Sequence, residues 1–196
     1  QVIEEKLASL LRSRGFCVVL NWNPPEPCRD AGEVDVIAAR DGHLFVMEVK
    51  STFVRRSMRD AWLHATSTLR KAGRQVEKKL QAVRAAMASG LLTEQLGLAG
   101  PVTPSQIHGW IVDTSIECDH ELFNGYLKVS LEEVLIALRD DAQLLSDPDG
   151  LLGQTPPETD GSRGTSTLYP EGFSAGRFVE IIQSAGVWEP LMKEPD

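Results

Sequence analysis

Glu33, Asp35, Glu48 and Lys50 are the residues of this chain whose types and spacing could do chemistry, because one tight turn would bring them together. Two runs rich in Val, Ile, Phe and Met flank Asp41-Gly42. That dipeptide suits a two-residue type I′ turn, in which both central residues take positive φ. With this turn Arg40 faces His43, Asp35 faces Glu48 and Glu33 faces Lys50. Opposed side chains of an antiparallel pair have Cβ atoms roughly 4.5 to 5.5 Å apart, where like charges repel. A cation is therefore expected between Asp35 and Glu48. Alternation along the strand puts Glu48 and Lys50 on one face and Met47 and Val49 on the other, so acidic and basic groups converge on one spot. The chemistry this permits is a metal site with a lysine beside it. The plainer reading of the same residues is a solvent-facing hairpin with a Glu33–Lys50 ion pair.

The elements that must position these residues follow from periodicity. Ile3, Leu7, Leu10 and Leu11 mark a helix from about Val2 to Arg14, with Gly15 placed to end it. Phe16 to Trp22 reads as a strand and Asn23 to Ala31 as a Pro-rich loop before the hairpin. A long helix is expected from about Arg59 to Ser89, with Trp62, Leu69, Val76, Leu80, Val83 and Met87 facing the core. Gly73 falls on that stripe and should leave a gap, and Gly90 should close the helix. Ile107 to Asp113 and Leu127 to Val129 read as strands, and Ser130 with Glu133 forms a capping-box pattern opening a further helix. The expectation is an α/β domain with a mixed central sheet between helices, in the order helix, three strands, helix, strand, then a further strand and helix.

Composition bounds the rest. With 196 residues, 42% of them hydrophobic, the chain can bury one substantial core. The expected organisation is one catalytic domain over residues 1–145, a linker or loop over 146–167 rich in Pro, Gly, Asp, Ser and Thr, and a terminal helical segment over 168–196. In that last segment Phe173 to Trp188 forms an amphipathic helix, expected to pack back on the domain. No apolar run approaches 18 residues and no signal-peptide pattern is present, so a cytoplasmic protein without a membrane partner is expected. Cys17, Cys28 and Cys118 are odd in number and widely spaced, which suits reduced thiols. The chain opens on Gln1 and enters a helix almost at once, so it reads as a piece of a longer protein with an upstream domain.

Asp35, twelve intervening residues and then Glu48-Val49-Lys50, with a helical Glu4 or Glu5 upstream, resembles the PD-(D/E)XK nuclease superfamily, the restriction-endonuclease-like fold. Gly32-Glu33-Val34-Asp35 followed by Phe45-Val46-Met47-Glu48-Val49-Lys50 is similar, more narrowly, to Holliday junction resolvase-related proteins and to the nuclease domains of Mrr-type restriction enzymes. Val34 stands where the motif's proline would be. The resemblance implies a metal-dependent deoxyribonuclease serving DNA repair or restriction. Asp35, Glu48 and the backbone carbonyl of Val49 would hold Mg²⁺ or Mn²⁺, and Lys50 would stabilise charge on phosphorus or orient the attacking water. It also implies a glutamate from the first helix. Glu4 shares a face with Leu7 and Leu11 and is favoured over Glu5, which can serve as an N-terminal helix charge. Gln75 matches the glutamine that several groups of this fold carry on the helix after the E-x-K strand. Lys79 stands where one such group's Gln-x-x-x-Tyr pattern has tyrosine.

The net charge of −8 argues against indiscriminate coating of nucleic acid. Yet Lys50 to Arg84 holds ten of the twenty Lys and Arg residues against two acids, Asp60 and Glu77. Arg55, Arg56 and Arg59, with Arg70, Arg74 and Lys78 at helical spacing, are therefore expected to bind the DNA backbone. A homodimer is expected where two strands are cut. His43, His64, His108 and His120 read as ordinary, nothing ties Asp113 or Asp119 to the site, and the four tryptophans read as core or interface residues. Two rival readings are a catalytically inactive nuclease-fold module that binds nucleic acid or a protein, and a partner-binding protein whose acidic hairpin is incidental.

Overall fold

The computed structural model describes residues 2–51, 57–98, 100, 102–140 and 167–188. The chain divides into two compact units, 1–132 and 133–196. The expected boundary at 145 and nearly all of the expected linker lie outside the described residues.

The first unit is α/β. Helix α1 (Val2–Ser13) precedes β1 (Cys17–Trp22) and the hairpin of β2 (Val34–Arg40) and β3 (His43–Lys50). A long helical stretch follows, made of α2 (Met58–Leu63), a π-helical turn over His64–Leu69 and α3 (Arg70–Ala88). Strands β4 (Ile107–Asp113), β5 (Leu122–Phe123) and β6 (Tyr126–Ser130) complete one mixed six-stranded sheet in the order β1-β2-β3-β4-β6-β5. The pairs β1/β2, β2/β3 and β5/β6 are antiparallel, while β3/β4 and β4/β6 are parallel. Among the described residues no helix is long and apolar enough to cross a membrane.

The turn forms as its residues demand, with Asp41 at φ 51° and Gly42 at φ 77°. Arg40 pairs with His43 and the register runs unbroken to Val36 opposite Met47. A second Asn-Gly turn, Asn124-Gly125 with φ of 55° and 81°, joins β5 to β6. Strand β5 is one the sequence reading lacked.

One face of the sheet carries Ile37 and Ala39 of β2, Leu44 and Val46 of β3 and Ile111 of β4, packed against Leu69, Val76, Leu80 and Val83 of the long helix. Two glycines let the helix approach. A Cβ on Gly73 would lie 2.3 Å from the carbonyl oxygen of Phe123, and one on Gly109 would lie 2.6 Å from Leu80 and 2.7 Å from Val76. Gly73 is therefore a point of backbone contact with the β5–β6 turn, not the expected gap. The expected core position of Trp62 is also corrected, since Trp62 is 64% exposed and His64 is buried. The π turn explains the change: it inserts a residue into the helical repeat, rotating everything before it by roughly 100° relative to the stripe that follows.

In the second unit, α5 (Ala175–Gln183) lies within the expected terminal helix and begins at Ser174, whose hydroxyl accepts from the Arg177 N–H at 3.2 Å. An isolated helix of this length is marginal in water. Here Phe178, Val179, Ile181 and Ile182 are buried. The flanking residues are tied to α4 (Leu131–Arg139) by Tyr169 donating to the Ala137 carbonyl at 2.8 Å and by the Trp188 indole donating to Glu133 at 3.0 Å.

Candidate active site

The site is assembled where the β2–β3 ladder ends. Asp35 would continue the ladder opposite Glu48, but the pairing stops one step earlier. The Asp35 carboxylate instead accepts the Val49 N–H at 2.7 Å. The expected Asp35/Glu48 and Glu33/Lys50 cross-strand pairs are thus replaced by a side chain capping the open end. The N–H and C=O of one strand residue share an edge. The Val49 carbonyl therefore faces the same side as Asp35, while the next carbonyl, that of Lys50, accepts from Thr114 at 3.0 Å. Glu33 is exposed and lies 3.4 Å from the Asn23 amide.

Asp35 is two residues from Ile37, and Glu48 and Lys50 continue the every-second-residue row of Leu44 and Val46, so all three project onto the sheet face covered by the long helix. Lys50 donates to Glu48 Oε1 at 2.5 Å and to Gln75 Oε1 at 3.2 Å. The cation expected between the carboxylates is present and is Lys79. Its ammonium lies 3.2 Å from Asp35 Oδ1 and donates to Glu48 Oε2. Lys79 is 3% exposed and Glu48 2%, whereas the side chains of Asp35 and Lys50 keep 19% and 24% of their surface in solvent. Burial pushes the Asp35 carboxyl above its ordinary range and the Glu48 charge adds to this, against the opposing pull of Lys79 and the Val49 N–H.

The structure places Gln75 against Lys50, and Lys79 is the residue the reading missed. The two are one helical turn apart on α3, which is the geometry that lets both reach the same strand end. Two further residues that the sequence does not tie to the site border it. The parallel register sets Asp113 beside Lys50. The Asp113 carboxylate bonds His64 Nε2 at 2.7 Å and accepts from the Ser115 hydroxyl at 3.1 Å, with His64 supplied by the π turn. Glu4 is half-buried and Glu5 exposed on α1, and the bonds made by Asp35, Glu48, Lys50 and Lys79 do not reach either. Arg59, Arg70, Arg74 and Lys78 are exposed along α2 and α3, with Lys78 3.8 Å from Asp30. Arg55 and Arg56 lie outside the described residues.

Among the described residues no group of three or more His, Cys, Asp or Glu side chains is placed to hold a metal. The donors that do converge are two carboxylates and the Val49 carbonyl, all hard oxygens of the kind Mg²⁺ and Mn²⁺ take. That the carboxylates already share one ammonium shows that their geometry accommodates a cation. A separate cleft of about 660 Å³, lined by Gly15, Arg40, Asp41, Gly42 and Gln106, opens at the other end of the hairpin.

No family model, curated protein or solved structure matches the chain.

Proposed function

We propose that the first unit is a restriction-endonuclease-like module that hydrolyses DNA phosphodiester bonds with Mg²⁺ or Mn²⁺. The observation that carries this reading is the convergence of Asp35, Glu48 and Lys50 at an open strand end, with the Val49 carbonyl on the same edge. Asp35, Glu48 and that carbonyl would hold the ion. Bound there, it would polarise a non-bridging phosphate oxygen and acidify a water. Lys50, fixed by Glu48 on one side and Gln75 on the other, has an ammonium whose direction is set before substrate arrives. It would stabilise negative charge on the phosphate without first having to reorganise.

The exposed Arg59, Arg70, Arg74 and Lys78 would attract the DNA backbone and set its register. The contact of Lys78 with Asp30 is between exposed groups, where an ion pair is worth about 0 to 1 kcal/mol. A phosphate can therefore replace Asp30. A homodimer would present two such sites to two strands, and the cytoplasm is where such a module would meet DNA. A specific observation favours one other reading: the carboxylate pair already carries a buried ammonium, as in a module that keeps the fold and binds nucleic acid without cutting it.

The deciding experiment offers linear duplex, single-stranded, flapped and four-way-junction DNA with Mg²⁺ or Mn²⁺ to this chain and to Lys50→Ala. Cleavage by the parent that the variant loses by at least about a hundredfold is the expected result. DNA binding without cleavage by either protein would establish the inactive module instead.

A further inference from the structure

Lys79 is the component of the site that hydrolysis neither requires nor explains. All four oxygens of the carboxylate pair already accept a hydrogen bond: Asp35 Oδ2 from Val49, Glu48 Oε1 from Lys50, and Asp35 Oδ1 and Glu48 Oε2 both from Lys79. Among the described residues Lys79 alone bonds to both acids, and it does so from a buried position on helix α3. Two ammonium groups against two carboxylates leave the cluster electrically balanced. A divalent ion bound to the same oxygens would face a positive charge a few ångströms away, in surroundings that screen it poorly.

We propose that Lys79 is a resident counter-ion that a divalent metal must displace from Asp35 and Glu48, so that this one positioning residue sets the metal affinity of the site. The inference rests on the metal-site reading above. The step is an exchange of one cation for another on the same oxygens. The aliphatic stem of lysine allows the ammonium to swing away while its backbone stays in the helix. Without metal, Lys79 keeps the buried Glu48 and the part-buried Asp35 from repelling each other. With metal, its retreat leaves Lys50 as the site's lysine.

The test is Mn²⁺ binding to the full chain, followed by the loss of the free-ion electron paramagnetic resonance signal, with folding of each variant checked by circular dichroism. Lys79→Met removes the charge and keeps the length, and it should bind Mn²⁺ at least about tenfold more tightly than the parent, the scale expected for one nearby unit charge. Lys79→Arg keeps the charge and should show no gain in Mn²⁺ affinity over the parent. Adding Asp35→Asn to Lys79→Met should cancel the gain. If Lys79→Met does not fold, Lys79→Gln carries the same comparison. Equal or weaker Mn²⁺ binding by the uncharged variants overturns the proposal, and so does a gain that survives Asp35→Asn. Tighter Mn²⁺ binding without DNA cleavage by any form sustains the counter-ion role and overturns hydrolysis. Cleavage by a parent whose affinity the uncharged variants leave unchanged does the reverse.

Discussion

Two lysines are buried against the same face of the sheet, and they do different work. Lys128 on β6 is fully buried, and its ammonium meets the Ser115 carbonyl and the Asp119 carboxylate, both in the segment between β4 and β5. Its partners come from a neighbouring stretch of chain, and its effect is to staple that segment to the sheet. Lys79 on α3 reaches partners 44 and 31 residues away in sequence, on two different strands, and Glu48 has Lys50 as a second cation. The same side chain at the same burial is thus a strut in one place and an exchangeable charge in the other. What distinguishes them is whether the acid has another partner when the lysine leaves.

Unfolding in urea would break that comparison most directly. Lys128→Met leaves Asp119 facing an apolar stem and should cost about 3 to 5 kcal/mol, the scale for removing one member of a buried ion pair. Lys79→Met should cost less than about 2 kcal/mol, because Glu48 retains Lys50 and Asp35 retains the Val49 N–H. Equal losses would mean that both lysines are struts.

A basic group buried against another base sharpens the contrast. His108 lies 2.9 Å from His43 through their ring nitrogens, and burial, with the second imidazole, pulls its pKa down to about 4. The unfolded chain then binds the proton that the folded chain refuses. Stability should be complete above about pH 6.5 and fall by on the order of 3 kcal/mol as pH drops toward 4. Replacing His108 with Asn should flatten that slope in melts recorded across this range.

Lys79 depends on how close α3 lies to the sheet, whereas Lys128 is carried by the sheet itself. Gly73→Ala forces a methyl against the Phe123 carbonyl and should cost about 1 to 3 kcal/mol. It should also loosen Lys79, so that Mn²⁺ affinity rises in this variant as in Lys79→Met. The smallest effect belongs to Trp62→Ala on the solvent side of the same helical stretch, where a change within about 0.5 kcal/mol is expected. A core tryptophan would cost about 3 to 5 kcal/mol.

Much of this was legible in the sequence because the rules involved are local. Asp41-Gly42 fixed the turn, the turn fixed the register, and alternation then put Asp35, Glu48 and Lys50 on one face. Lys79 was hidden because Lys78-Lys79 looks like any solvated charge run, and only the phase of α3 decides which of the two turns inward. The signal was its spacing of four from Gln75. The meeting of Lys50 with Asp113 was not legible, since no turn sets the register of parallel strands joined through a helix. The π turn has no clear signature in His64–Leu69, so the phase of everything before it was read wrongly, Trp62 included. Strand β5 had its Asn-Gly turn in plain view but spans only two residues, too few to show alternation.

The short bond from the Val49 amide to Asp35 makes the site its own spectroscopic reporter. An amide proton held by an ionised carboxylate resonates downfield of its neighbours, and its position tracks the charge on that acceptor. Whatever takes electron density from Asp35, whether a metal ion or a proton, should move the Val49 cross-peak in a ¹⁵N–¹H spectrum. Occupancy of the carboxylate pair could then be followed on one backbone signal, with no DNA in the tube.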